Sequence, residues 1–168
     1  MARFHSNFAL VWWGCLTASL IAIAFMAAQL IARSAAAAPH LVQGERIHVV
    51  DGDTVDLPCP SRLACVRERV RILNIDAPET RGARCAAERK AGFAATRRLE
   101  SLLRSGRVSV ARCDARGRCE DRAGRTLARL AVNGADVGEA LIASGHALPW
   151  RDGAPARAQR IAHWCGRA

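Results

Sequence analysis

The chain has 168 residues and a formal net charge of +10, from 25 Lys and Arg against 15 Asp and Glu. Its first forty residues do not look like the rest, and the remainder is the size of one ordinary domain with one core, too short for several. Without that segment 23 basic residues face 15 acidic ones, a balance that attracts polyanions and loses much of that attraction in salt. Lys90 is the only lysine beside 24 arginines, and alanine is abundant. That bias suits GC-rich coding, so arginine content alone does not argue for nucleic acid.

The run from Phe8 to Ala32 is almost wholly apolar. At about 25 residues it exceeds the usual 7–15-residue core of a signal peptide and is long enough to span a bilayer. Ser34-Ala35-Ala36-Ala37-Ala38-Pro39 also supplies the small residues of a peptidase site. Length favours an uncleaved anchor formed by residues 8–32, with a cleaved signal as the alternative. Either exports the domain, to the periplasm or the cell exterior. Arg3 and Arg33 flank both ends, so charge gives no orientation. Residues 1–40 are therefore read as signal peptide or signal anchor, and 41–168 as the folded domain.

Of seven cysteines, Cys15 lies in the apolar segment and six lie downstream. Cys59 and Cys65, and likewise Cys113 and Cys119, are similarly spaced local pairs. Behind an export segment this pattern reads as a disulfide framework. Structural zinc favours tighter Cys pairs, often with His, and neither condition is met. Elimination leaves Cys85 with Cys165, tying the start of a helix to the C-terminal tail.

In chain order, Arg46–Val50 and Thr54–Leu57 flank Asp51-Gly52, a strong hairpin signal. Val66–Ile72 alternates as a half-buried strand. Ala86–Ser105 reads as a helix with Ala91, Ala95, Leu99, Leu102 and Leu103 as its apolar stripe, and Gly106 to end it. Arg107–Cys113 is a strand, Asp114–Arg122 a basic loop, and Thr126–Val132 another strand. Asn133-Gly134 turns the chain, and Asp136 with Glu139 caps a helix ending at Gly145. The tail from Leu148 reads as irregular. Strands dominate and helices intervene, an α+β chain whose order fits a five-stranded OB-fold barrel with two to three helices.

The chemistry concentrates between Asp51 and Thr80. Asp53, Asp76 and Glu79 are hard oxygen donors suited to Ca2+ or Mg2+. Asp51–Asp56 is not an EF-hand loop, because its sixth position is Asp56 rather than Gly and its twelfth is Arg62 rather than Glu. A site must be assembled from separate strands. On an unbroken strand Arg71 and Asp76 face opposite ways, so one shared site requires a bend across Leu73–Ile75.

Three stretches occur in the order and spacing of one family: Asp51-Gly52-Asp53-Thr54, then Arg71-Ile72-Leu73-Asn74-Ile75-Asp76-Ala77-Pro78-Glu79-Thr80, then Asp121-Arg122-Ala123-Gly124-Arg125. Over roughly residues 44–150 the chain resembles the thermonuclease, or staphylococcal nuclease-like, family. The resemblance implies an OB-fold phosphodiesterase that cuts DNA and RNA with Ca2+, Mg2+ being the second choice. It implies that Asp53 and Asp76 bind the ion through carboxylates and Ala77 through its main-chain carbonyl. Glu79 handles the attacking water, Arg71 and Arg125 grip the phosphate, and Asp51 and Thr54 support the ligands from behind. Two carboxylates and a carbonyl leave several of calcium's coordination positions to water and substrate, and planar guanidinium forks match phosphate oxygens.

Taken singly, Asp53 is also an ordinary turn residue, Glu79 an ordinary acid before a helix, and Arg71 an ordinary solvated strand residue. The joint pattern with Arg125 separates function from these. Where the family has tyrosine between the acidic residue and Gly-Arg, this chain has Ala123, and it contains no tyrosine. Outside the N-terminal segment only Phe93, Trp150 and Trp164 are aromatic, and Trp150 is the candidate stacking platform. Arg112, Arg116, Arg118 and Arg122 either track a phosphate backbone or form a solvated tip. His48 and His146 fall outside the motifs. The expected partner is a DNA or RNA substrate, with the membrane contacted only through an uncleaved N-terminal segment, and the chain is expected to be a monomer. The rival expectation is a non-catalytic OB-fold module that binds nucleic acid or protein.

Overall fold

Short β-branched runs separated by turn residues build the domain from one curled sheet. The computed structural model describes residues 40–59 and 67–166, which fall within the unit Pro39–Ala168. The apolar segment 8–32 and Cys65, hence the Cys59–Cys65 pair, lie outside the described residues. In chain order come β1 (His40–Gln43), a 3-10 turn over Gly44–Arg46, β2 (His48–Val49), β3 (Thr54–Pro58), β4 (Arg67–Ile72) and β5 (Ile75–Asp76). Next are α1 (Ala86–Arg104), β6 (Arg107–Arg112), β7 (Thr126–Val132), β8 (Ala135–Asp136), α2 (Val137–Ala143), β9 (Leu148–Pro149) and α3 (Ala154–Cys165).

The Asp-Gly hairpin forms as expected, with Val49 opposite Val55, and β4 extends it with Thr54 opposite Arg71. Val55, Leu57, Val70 and Ile72 point to one face and are buried, the period-2 pattern of a sheet covered on one side. Asn133 and Gly134 both take positive φ, at 50° and 86°, the two-residue turn that matches strand twist. It joins β7 to β8, and Asp136 then caps α2 by accepting from the Glu139 N–H at 2.9 Å.

The sheet runs β1-β6-β7-β4-β3-β2, with β8 on β7. Only β4 and β7 are parallel among these pairs. The α+β class with two to three helices is found, with three helices among the described residues, while the five-stranded OB-fold barrel is corrected: the described sheet has seven strands and is not closed as a barrel. Its two end strands, β1 and β2, are successive pieces of one segment. The 3-10 turn between them, closed by Ile47 N–H to the Gly44 carbonyl at 3.1 Å, separates the piece that pairs with β6 from the piece that pairs with β3.

Ala95, Leu99 and Leu103 on α1 are buried at i, i+4 spacing against the sheet. Cys85 caps this helix, its sulfur accepting from the Glu88 N–H, while Glu88 reaches back to the Arg84 N–H at 2.6 Å, the reciprocal logic of a capping box. Ser105 rather than Gly106 ends it, in right-handed geometry. The tail is also corrected: where an irregular stretch was expected, α3 runs for 12 residues with proline in its first turn. Cys165 at its end is bonded to Cys85, with Cα atoms 5.9 Å apart, and Cys113 is bonded to Cys119. Among the described residues no helix is long and apolar enough to cross a membrane.

Candidate functional site

Two acidic turns rest side by side on α1 because glycine lets them approach. A Cβ on Gly52 would stand 2.7 Å from both Ala77 Cβ and Ala95 Cβ. One on Gly92 would stand 2.7 Å from the Glu79 carbonyl oxygen and 2.8 Å from that of Pro78. Backbone cannot rotate out of the way as a side chain can, so α1 must present hydrogen where the Pro78-Glu79 backbone crosses it. The Asp51–Asp53 turn and the Ala77–Glu79 segment thereby share one support.

The bend required between Arg71 and Asp76 is present. Strand β4 stops at Ile72, Leu73 and Asn74 form a turn, and Asn74 takes a φ of 65°. Strand β5 then leaves the main sheet and pairs with β9. Arg71 bridges this bend from within: it donates to the carbonyls of Ile72 at 2.8 Å and Ile75 at 2.9 Å. Its Nη2 also lies 3.0 Å from Asp53 Oδ2.

Asp53 is buried and heavily bonded. Its Oδ1 accepts from the Thr54 hydroxyl at 3.0 Å, and its Oδ2 from the Ala77 N–H at 3.0 Å. Its own N–H donates to Asp51 Oδ1 at 3.2 Å. Asp51 and Thr54 thus support Asp53 directly. Desolvation, opposed by Arg71 and reinforced by Asp51, still pushes the Asp53 carboxyl up to about 6. Burial outweighs its cationic neighbour.

Asp76 is buried too, and its Oδ2 accepts from Arg160 Nη1 on α3. Glu79 is exposed as a residue, while its carboxyl is partly screened from water by its neighbours. That desolvation raises it first, the charges of Asp51, Asp76 and Glu88 add to the rise, and Arg160 opposes it. The carboxyl oxygens of Asp53, Asp76 and Glu79 are not gathered at one point. Among the described residues the one trio of Cys, His, Asp and Glu donor atoms within 4.8 Å is Cys85, Glu88 and Cys165, and its two sulfurs are spent on a disulfide.

Arg125 arrives on a turn that Asp121 folds. Asp121 Oδ1 accepts from the N–H groups of Ala123 at 2.8 Å and Arg125 at 3.0 Å, and Oδ2 from Arg125 Nε at 2.7 Å. Desolvation raises the Asp121 carboxyl, but these bonds outweigh it and leave it lowered. Arg71 and Arg125 line one open groove of about 740 Å3, together with Arg122, Arg129 and the exposed Trp150. Ile75 also lines it, so the groove reaches the strand that carries Asp76. Asp53, Asp76 and Glu79 do not line it.

The basic loop divides. Arg116, Arg118 and Arg122 line the groove, although Arg118 is paired with Asp114. Arg112 is committed to Glu68 at 2.6 Å and does not line it. His48 is exposed, and His146 Nδ1 lies 3.0 Å from Ser144 Oγ. Neither lines the groove. The sequence pattern did not single out Arg160 or Arg129. Arg129 alternates with the buried Ala128 and Leu130 of β7, so its outward direction was available from period 2. Arg160 sits in α3, within the tail that the sequence pattern left without regular structure.

Residues 69–163 match the family described as staphylococcal nuclease homologue. That stretch contains Arg71, Asp76, Glu79, Arg125 and Arg160, begins after Asp51, Asp53 and Thr54, and runs beyond the stretch that carried the resemblance. No curated protein matches the chain. With more than half of its residues matched, and with Arg71 and Arg125 on one groove, the chain belongs to the staphylococcal nuclease homologue family.

Proposed function

We propose that the chain is an exported, divalent-metal-dependent phosphodiesterase that hydrolyses DNA or RNA with little sequence specificity. Membership of a nuclease-type family supports the reaction class. The observation that carries the reading furthest is the placement of Arg71, which contacts Asp53 and lines the groove that Arg125 also lines. The parallel β4–β7 pair and the one segment supplying both sheet ends suit an OB-type arrangement opened at its first strand. The apolar segment 8–32 and the disulfides support export, to the periplasm or cell exterior, by cleaved signal or retained anchor.

The donor set fits a hard divalent cation. Asp53, Asp76 and the Ala77 carbonyl all offer oxygen, and buried Asp53 keeps a charge that its surroundings do not fully balance. Ca2+ tolerates such a site better than Mg2+, which demands near-ideal octahedral geometry. Held there, the ion supplies Lewis acidity toward the phosphate. Glu79, its carboxyl raised by desolvation and by the charges of Asp51, Asp76 and Glu88, takes the proton of the attacking water. Arg71 and Arg125 donate to the phosphate oxygens, and Asp121 holds the Arg125 guanidinium in place.

A binding module remains the second reading, because Asp53 and Asp76 each already contact an arginine. Single-stranded DNA incubated with the protein and Ca2+ separates the two, beside Arg71→Ala, Glu79→Ala and Arg125→Ala. Cleavage lost in each variant supports the enzyme. Tight binding by the unaltered chain without cleavage selects the module.

A further inference from the structure

Helix α3 has no buried residue, yet it reaches the site. Its half-buried positions Ala156, Arg160, Ile161, Trp164 and Cys165 form one face at i, i+4, i+5, i+8 and i+9. With so little apolar burial, specific bonds must set where that face lies. Two are present: the disulfide from Cys165 to Cys85 at the start of α1, and the ion pair from Arg160 to Asp76. The Asp76 side chain is 12% exposed and that of Arg160 is 30% exposed, so salt screens the pair weakly. Asp53, the other candidate ion ligand, holds Arg71 in the same manner.

We propose that Arg160 is a positioning residue that balances Asp76 when no divalent ion is bound, and that the Cys85–Cys165 disulfide tethers α3 so that this guanidinium competes with the ion. The inference rests on Asp76 being an ion ligand, as proposed above. A guanidinium on Oδ2 occupies one carboxylate oxygen and sets a positive charge against a doubly positive ion. The tether keeps Arg160 at high local concentration beside Asp76, although the helix face is only half-buried. Affinity for the ion is therefore lower than the carboxylates alone would give, and ion binding loosens α3 from its place.

The test is calorimetric titration of Ca2+ into the oxidised full-length chain, with hydrogen exchange read over residues 154–165. Arg160→Gln should bind Ca2+ about tenfold more tightly, as a unit charge leaves the ion's surroundings. Arg160→Lys, which keeps the charge, should stay near the unaltered chain. Cys85→Ser/Cys165→Ser should fall between them, and it decides the matter if Arg160→Gln fails to fold. In the unaltered chain, Ca2+ should speed exchange in α3. Equal or weaker binding by Arg160→Gln, or exchange in α3 indifferent to Ca2+, overturns the proposal. If the unaltered chain binds Ca2+ and Asp53→Asn abolishes it while Arg160→Gln gains nothing, this inference alone fails. If no form binds Ca2+, the metal reading fails with it.

Discussion

Arg71 Nη2 lies 3.0 Å from Asp53 Oδ2 while the same guanidinium donates to the carbonyls of Ile72 and Ile75 on either side of a backbone bend. One side chain therefore ties the first acidic turn to the strand that carries the second. Arg71→Lys keeps the charge but not the fork, and should lose cleavage by roughly 10²-fold or more, as removal of one fixed donor does elsewhere. Rates on single-stranded DNA measure this, and a lysine variant near full activity would show that charge alone suffices.

The Asp53 carboxyl gives a pH signature. Its folded value is raised from 3.8 to about 6, so between those values the folded state binds the extra proton. For a carboxyl raised in this way, stability falls as pH climbs through that window, by about 2–3 kcal/mol at most. In chelator, denaturation midpoints should decline from about pH 4 to about pH 6, and Asp53→Asn should flatten that decline and be the more stable protein above it. A parallel decline in both proteins would remove Asp53 as its source.

Glu68 provides the opposite sign. Its hydrogen bonds from Arg112 lower its carboxyl despite desolvation. Stability from this pair is complete above the ordinary value of 4.5 and is lost as pH falls below it. Glu68→Gln should cost about 1 kcal/mol at neutral pH and nothing near pH 2, read by urea denaturation at both pH values.

Gly92 is where α1 meets the Pro78-Glu79 backbone. Gly92→Ala drives a methyl into the Pro78 and Glu79 carbonyls, at a cost of about 1–3 kcal/mol for an overpacked site. Because the displaced backbone is that of Glu79, activity should fall further than stability accounts for. Kinetic constants and thermal melts on the same preparation separate the two effects.

Cys85 and Cys165 are 80 residues apart in sequence, and closing such a loop stabilises by roughly 4 kcal/mol on chain-entropy grounds. Cys85→Ser/Cys165→Ser should lower the denaturation free energy on that order. A loss below about 1 kcal/mol would mean that α3 is anchored mainly by other contacts.

Most of the main sheet was legible in the residue pattern alone. Thr126–Val132 puts Ala128, Leu130 and Val132 on one buried side, Asp51-Gly52 and Asn133-Gly134 are turn dipeptides, and α1 buries Ala95, Leu99 and Leu103 at helical spacing. The bend near Asn74 was readable as well, from the parity of Arg71 and Asp76. Other features lack such signals. Strand β1 is four residues long with Leu41 exposed, so its pattern is too brief to count. Helix α3 has a face that is only half-buried, over Ala156, Ile161 and Trp164, and charged or polar residues interrupt its short apolar period. Arg160 is one arginine among many, and only the folding of the tail onto Asp76 distinguishes it. The break between β1 and β2 depends on Gly44–Arg46 adopting a 3-10 turn, which propensity does not dictate.

Metal dependence tests the central claim most directly. The full-length oxidised chain is given single-stranded DNA in excess chelator, and Ca2+ is then restored. The expected result is no cleavage in chelator, cleavage on restoring Ca2+, and none in either condition for Glu79→Ala. Cleavage that persists in chelator, or that survives the loss of Glu79, would contradict it.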